Sequence, residues 1–182
     1  MKDLLDKLSS YNIFNYLLPG VIFAAMGQHI GNIPLLHSDM IVSAFLCYFY
    51  GLIISRIGSL AIEPSLKWLR VVKYTPYNEY VTASQIDPKL EILSEQNNSY
   101  RTLIALVLVL LMAGGIDELR RYFGHTWYPY AYVAILLLGI LFILAYRKQS
   151  EYITKRIGVH IARLDEVKAA DSEGDANGTN NS

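Results

Sequence analysis

The sequence predicts an all-α integral membrane protein with four transmembrane helices, both termini cytoplasmic, a cytoplasmic helical loop and a cytoplasmic helical tail. Three observations carry that prediction. Of the 182 residues, 53% are hydrophobic and 18% charged, against roughly 45–50% and about 25% in soluble domains. Four apolar stretches approach the roughly 20 residues that a helix needs to cross about 30 Å of hydrocarbon. Lysine and arginine number 2, 0, 6, 2 and 6 in the leader, the three loops and the tail, an alternation that places both ends and the long second loop on the cytoplasmic side.

The expected organisation follows the chain. Residues 1–58 hold an N-terminal helix and the first two spans. In the first, Ile13 to Ile30, the leader lysines Lys2 and Lys7 are offset by Asp3 and Asp6, and Asn15 and Pro19 interrupt the apolar run. With no small-x-small cleavage site after it, this stretch reads as a span and not as a signal peptide. The second span runs from Met40 to about Ile57, with a possible extension to Ile62. Residues 59–101 form the cytoplasmic loop, too long for a turn and too short for a core of its own. Residues 102–146 hold spans three and four. The third, Thr102 to Ile116, is short and recruits Tyr100 and a snorkelling Arg101. The fourth, Trp127 to Tyr146, is the clearest. Aromatic residues mark both interfaces, Tyr122, Trp127, Tyr128 and Tyr130 at the outer one, Tyr146 and Tyr152 at the inner one. Residues 147–170 are read as a tail helix with Ile153, Ile157, Ile161 and Leu164 on one side and Glu151 paired with Lys155. Residues 171–182 have nothing to bury and are expected to be disordered.

Within the loop, EPSLKWLRVVK reads as an amphipathic helix. Pro64 sits in its first turn, Leu66, Leu69 and Val72 share one side, and Lys67, Arg70 and Lys73 share another, with Trp68 at the boundary. That basic face is expected to touch anionic lipid or a partner protein. The competing expectation is a continuation of the second span packed on its neighbours. Further on, Asp87-Pro88 is a strong helix start, and no breaker separates it from the third span, so one helix is expected to run from cytoplasm into bilayer.

Several function classes are excluded. The 16 basic and 16 acidic residues cancel, so no whole-protein field holds nucleic acid, and no direct nucleic-acid binding is expected. One cysteine, Cys47, forms no intrachain disulfide, and no Cys/His cluster has metal-ligand spacing, so no metal or cofactor is expected. There is no phosphate-cradling glycine loop, HExxH or GxSxG. The polar group Asp117, Glu118, Arg120, Arg121 and His125 reads as a solvated turn with local ion pairs, and no catalytic residue is assigned. What remains are packing and polar positions within the spans. Gly51, Ser55 and Ser59 recur every four residues and form a ridge that another helix can approach closely. Asn15, Gln28, His29 and Arg56 are the intramembrane polar groups, which hydrocarbon makes expensive unless they are partnered. Tyr48 and Tyr50 need hydroxyl partners and are expected to face the bundle.

The phrases SSYNIFNYLLPGVIF, GLIISRIGSLAIEPSLK and DPKLEILSEQNNSYRT resemble small multi-span membrane proteins of bacterial antiphage defence systems, among them the membrane subunit of the Kiwa system and the membrane effectors of certain retrons. The resemblance covers roughly residues 9 to 101. It implies a multi-pass inner-membrane protein, a homo-oligomer working with a cytosolic partner, that senses infection or damages the membrane. Two other readings stand beside it: a structural or assembly subunit of an unrelated membrane complex, and a small channel, for which the paired-repeat signature is missing.

Overall fold

A computed structural model describes residues 13–31, 34–122 and 129–178. Every regular element in them is helical. The chain enters through a π-helical turn, Ile13–Leu17, that leads into α1, Leu18–Gly31. The turn before α2, Met40–Ile57, is closed by its own side chains: Asp39 accepts from the amides of Ile41 at 2.8 Å and Val42 at 3.1 Å, and Ser43 Oγ donates to the carbonyl of His37. The Asp39 contacts satisfy amides that a helix start leaves without partners.

The second apolar stretch does not stop at Ile57. It passes through a π-helical segment, Gly58–Ile62, into α3, Glu63–Trp68. Pro64 occupies the first turn of α3, directly after the π-helical segment. The continuation expected as the alternative is therefore the one observed, and the single basic helix over 63–73 is not. It ends at Trp68 in a Schellman turn. Val71 N donates to Leu66 O and Arg70 N to Lys67 O, each at 3.0 Å, with Arg70 in the left-handed position at φ 57°. Leu66 and Val72 turn inward, while Trp68 and Leu69 are exposed.

After Pro76, α4 covers Tyr77–Ile86. Asp87 then starts α5, Lys89–Tyr122, accepting from the Lys89 amide with its side chain and from Leu90 N with its carbonyl. As expected, α5 is one uninterrupted helix of 34 residues joining a polar half to an apolar half. The last helix, α6, covers Pro129–Gly178. It absorbs the fourth apolar stretch and the tail helix without a break and continues to Gly178, so residues 171–178 are helical where disorder is expected. Glu151 pairs with Arg147 at 3.0 Å, one turn back, and not with Lys155.

Three buried clusters follow one another along the bundle. Ile54 packs with Ala105, Leu106 and Leu110. Leu66 and Val72 pack with Ile104 and Tyr146. Ala83 and Leu90 close on Ile153 and Ile157, the expected apolar side of the tail, with Ile161 beside them. Outside these clusters, large side chains face away from the protein: Met40, Ile41, Phe45 and Leu60 are each more than two-thirds exposed, and the outward face of α6 carries Leu136, Leu137, Leu141 and Leu144. Such a surface suits hydrocarbon better than water. Three helical stretches among the described residues, Met40–Trp68, Lys89–Gly114 and Val133–Ala170, are long and apolar enough to cross a membrane, and a shorter apolar helix, Asn15–Gly27, packs beside them. The regular structure of the described residues is thus all helical, with the character of a membrane protein.

Candidate functional site

The apolar halves of the helices end at a common level. On α5 the change falls at Arg101 and Thr102; on α6 at Tyr146 and Arg147; after α2 at Glu63. Tertiary contacts bring these three points together. Arg101 forms an ion pair with Glu63, which also takes Lys67 at 2.8 Å. Tyr74 and Tyr146 share a hydroxyl–hydroxyl hydrogen bond, and Lys67 Nζ lies 4.2 Å from the centre of the Tyr74 ring. Burial of its hydroxyl holds the Tyr74 phenol above its ordinary pKa. The side chains of Arg101 and Glu63 are only 16% and 20% exposed, so removing Glu63 strands Arg101 and costs about 2–3 kcal/mol, somewhat less than a fully buried pair, whereas removing Arg101 leaves Glu63 with Lys67.

Immediately on the apolar side of this level lies a buried polar knot. The Thr102 hydroxyl reaches Asn15 Oδ1 at 3.1 Å, Ser55 Oγ at 3.2 Å and Asn98 O at 3.0 Å, joining three elements that are far apart in sequence. Thr102 and Asn15 are all but fully buried. One turn further along α2, the backbones interlock. A Cβ placed on Gly51 would fall 1.7 Å from Tyr16 O, and one placed on Gly20 would fall 1.7 Å from Cys47 O. Each glycine admits the other segment's carbonyl, an approach that any side chain would block.

On the polar side is a cavity of about 430 Å³ between α3, α4, α5 and α6. Glu63, Lys67 and Arg101 line it with Tyr74, Tyr77 and Tyr80, and hydroxyls and amides of Ser94, Asn97 and Thr154 complete its wall. Ser150 Oγ donates to Asn97 Oδ1 at 3.1 Å, fixing α5 against α6. Further out, Asp87 fastens the beginning of α5 to α6. It takes hydrogen bonds from Arg156 and, at 3.1 Å, from His160. The Arg156 hydrogen bond first, then those of His160 and the Lys89 amide, overcome desolvation and hold the Asp87 carboxyl at a pKa of about 2.

The residues singled out in the sequence are distributed as follows. Gly51 and Ser55 are buried at the contact with the entering chain and α5, but Ser59 is half-buried and its hydroxyl returns to Arg56 O at 3.1 Å. The small residue that meets α5 is Gly58, facing Arg101. Asn15 is in the knot. Arg56 lies on the outward face, in a shallow groove with Phe49, Ile53 and Leu60. The α1 helix includes Gln28 and His29, and their side chains lie outside the described residues, as does the group from Asp117 to His125. Lys67 is on the cavity rim, whereas Arg70 sits in the turn and Lys73 beyond it, where its carbonyl receives Thr154 Oγ1 at 3.4 Å, so the three do not share a helix face. Tyr48 meets Tyr16 edge to face, and Tyr50 OH donates to Leu35 O at 3.2 Å.

Sequence reasoning missed Thr102, the Glu63–Arg101 pair and the Asp87–Arg156–His160 clamp. The second had a signal: opposite charges closing one apolar run and opening another belong at one depth. The first had none, since threonine at the end of an apolar run is unremarkable. Among the described residues no group of three or more His, Cys, Asp or Glu side chains is placed to hold a metal ion. No family model, no curated protein and no solved structure matches the chain.

Proposed function

We propose that this chain is a four-span inner-membrane component of a bacterial antiphage defence system, a sensor or effector with both termini cytoplasmic that works as a homo-oligomer with a cytosolic partner. The observation that supports this reading best is the continuity of α5 and α6. Each helix is apolar at one end and polar at the other, and the two pack together from the knot at Thr102 to the clamp at Asp87. A change in the packing of the bilayer-embedded half is therefore a change in the position of the polar half, the requirement for coupling two sites through rigid elements. The first apolar helix, held by the knot and by the glycine contact, supplies the fourth span. The outward apolar faces of α2 and α6 supply the area for lipid and for a second copy.

The test has two arms. Reporter fusions at Asn32 and Gly124 are expected to read periplasmic, and fusions at Tyr77 and Ser172 cytoplasmic; a cytoplasmic signal at Gly124 overturns the topology. The chain expressed with its genomic neighbours is expected to restrict phage growth, and Thr102→Val at matched abundance to weaken that restriction. An intact locus that protects against no phage in a broad panel overturns the defence reading.

A further inference from the structure

The cavity beside the Glu63–Arg101 pair has more positive charge and more hydrogen-bond donors than the protein itself uses. Among the described residues Glu63 is the single carboxylate in its wall, and it is shared by two cations, Lys67 and Arg101, so one positive charge has no counter-charge among them. Two buried polar atoms among its lining residues, Thr75 Oγ1 and Arg101 Nε, have no hydrogen-bond partner, and leaving a buried polar group unsatisfied is unfavourable. A network that is one anion short is better explained as a binding site than as a structural core. Its volume of about 430 Å³ lies in the range of small-molecule sites, about 300–1,000 Å³.

The wall also limits what can enter. Lys67 and Arg101 favour phosphoryl oxygens, which accept several charge-assisted hydrogen bonds at once. The rings of Tyr74, Tyr77 and Tyr80 give flat, partly apolar sides that suit a ligand with an apolar or aromatic body. The cavity adjoins the level where three helical stretches change from apolar to polar, where the headgroup layer of a bilayer would lie if those stretches span it. We propose that this cavity binds a phosphoryl group carried on an apolar or aromatic body, either the head of an anionic phospholipid or a soluble nucleotide. The proposal does not depend on a role in defence.

The experiment uses the full chain in nanodiscs. In the lipid arm, native mass spectrometry reads how much phosphatidylglycerol stays bound after release from phosphatidylcholine discs doped with phosphatidylglycerol. In the soluble arm, ATP is titrated onto protein in pure phosphatidylcholine discs and read by calorimetry. Retention in the first arm assigns the lipid, and binding in the second assigns the nucleotide. Ser94→Phe fills the cavity without removing a hydrogen bond described above, and Lys67→Gln removes the excess charge while leaving Glu63 paired with Arg101. Each is expected to weaken binding about tenfold or more, a difference of about 1.4 kcal/mol. Lys148→Gln, exposed and outside the cavity, is expected to bind as the native chain does. Folding is checked by helical circular dichroism and by unfolding midpoint. No binding in either arm, or equal binding by a folded Ser94→Phe variant, overturns the proposal.

Discussion

Alanine at Gly51 tests the bundle at its tightest point. The added methyl carbon would start 1.7 Å from Tyr16 O and 2.5 Å from Tyr16 C, whereas carbon and oxygen atoms without a hydrogen bond rest at roughly 3.3–3.5 Å. No rotamer relieves the clash, because both the intruding atom and the obstacle are fixed to backbone. The entering segment must withdraw by more than about an ångström, and overpacking of that kind costs about 1–3 kcal/mol. Withdrawal also moves Asn15, next in the chain to Tyr16, away from Thr102. Side-chain hydrogen bonds between membrane helices are worth about 0.6 kcal/mol on average, so the knot adds about 1 kcal/mol. The total expected is about 2–4 kcal/mol, or roughly a 30- to 1,000-fold change in the folding equilibrium. Unfolding in mixed micelles by increasing SDS fraction, followed by circular dichroism, measures it. Ile53→Ala, on the outward face of the same helix, serves as the control and should leave the midpoint within about 0.5 kcal/mol. A Gly51→Ala midpoint equal to that of Ile53→Ala would refute the close approach.

Thr102→Val keeps shape and removes the hydroxyl that three groups share, so a loss of about 1–2 kcal/mol is expected in the same assay; a neutral result means the knot is not formed. Ser59→Ala is expected to change the midpoint by under about 0.5 kcal/mol, because its hydroxyl only returns to its own helix at Arg56 O; a loss as large as that of Gly51→Ala would put Ser59 in a helix contact. The Asp87 carboxyl, with a pKa of about 2 against an ordinary value of about 3.9, is lowered by folding. Its contribution is complete above the ordinary value and disappears as the pH falls toward 2. Spin labels at Gln85 and Arg163 should therefore report one narrow distance from pH 7 to pH 5, broadening only below about pH 4, while Asp87→Asn should broaden it at every pH; broadening of the native chain by pH 6 would contradict the clamp. Trp68, 82% exposed at the end of the apolar run, should be quenched by brominated lipid in a Trp127→Phe background, and an emission identical to that in water would place it outside the bilayer.

Apolar run length made the all-helical class legible, and the continuity of α5 could be read from the absence of any breaker after Pro88. The end of α3 could not. A left-handed turn after a helix is normally announced by glycine, and here Arg70 fills that position, so the sequence reads as more helix and its basic residues as one face. Within the chain the four-residue ridge does not continue past Ser55. At 3.6 residues per turn both i+3 and i+4 fall near the face of Ser55, and it is Gly58, three residues on, that faces Arg101, while Ser59 returns its hydroxyl to Arg56 O. In the site, Asn15 and Ser55 were visible as polar groups in apolar surroundings. Their partner was not, because only the three-dimensional path of α5 brings Thr102 between residues 87 and 47 positions away. The cavity was invisible for the same reason: its wall is drawn from four helices, and no local pattern marks it.

The length of α6 sets a mechanical scale. Its polar stretch from Arg147 to Gly178 extends about 48 Å beyond the apolar half at 1.5 Å per residue, farther than the hydrocarbon layer is thick. A tilt of 5° at the level of Tyr146 would sweep the far end through about 4 Å, while a group 10 Å from the pivot would move by under about 1 Å. Small rearrangements among tightly packed spans thus become side-chain-sized displacements at the tip. A binder grasping that tip would in turn have leverage over the bilayer-embedded packing, so restraining the end of the tail and altering the spans should act on one and the same motion.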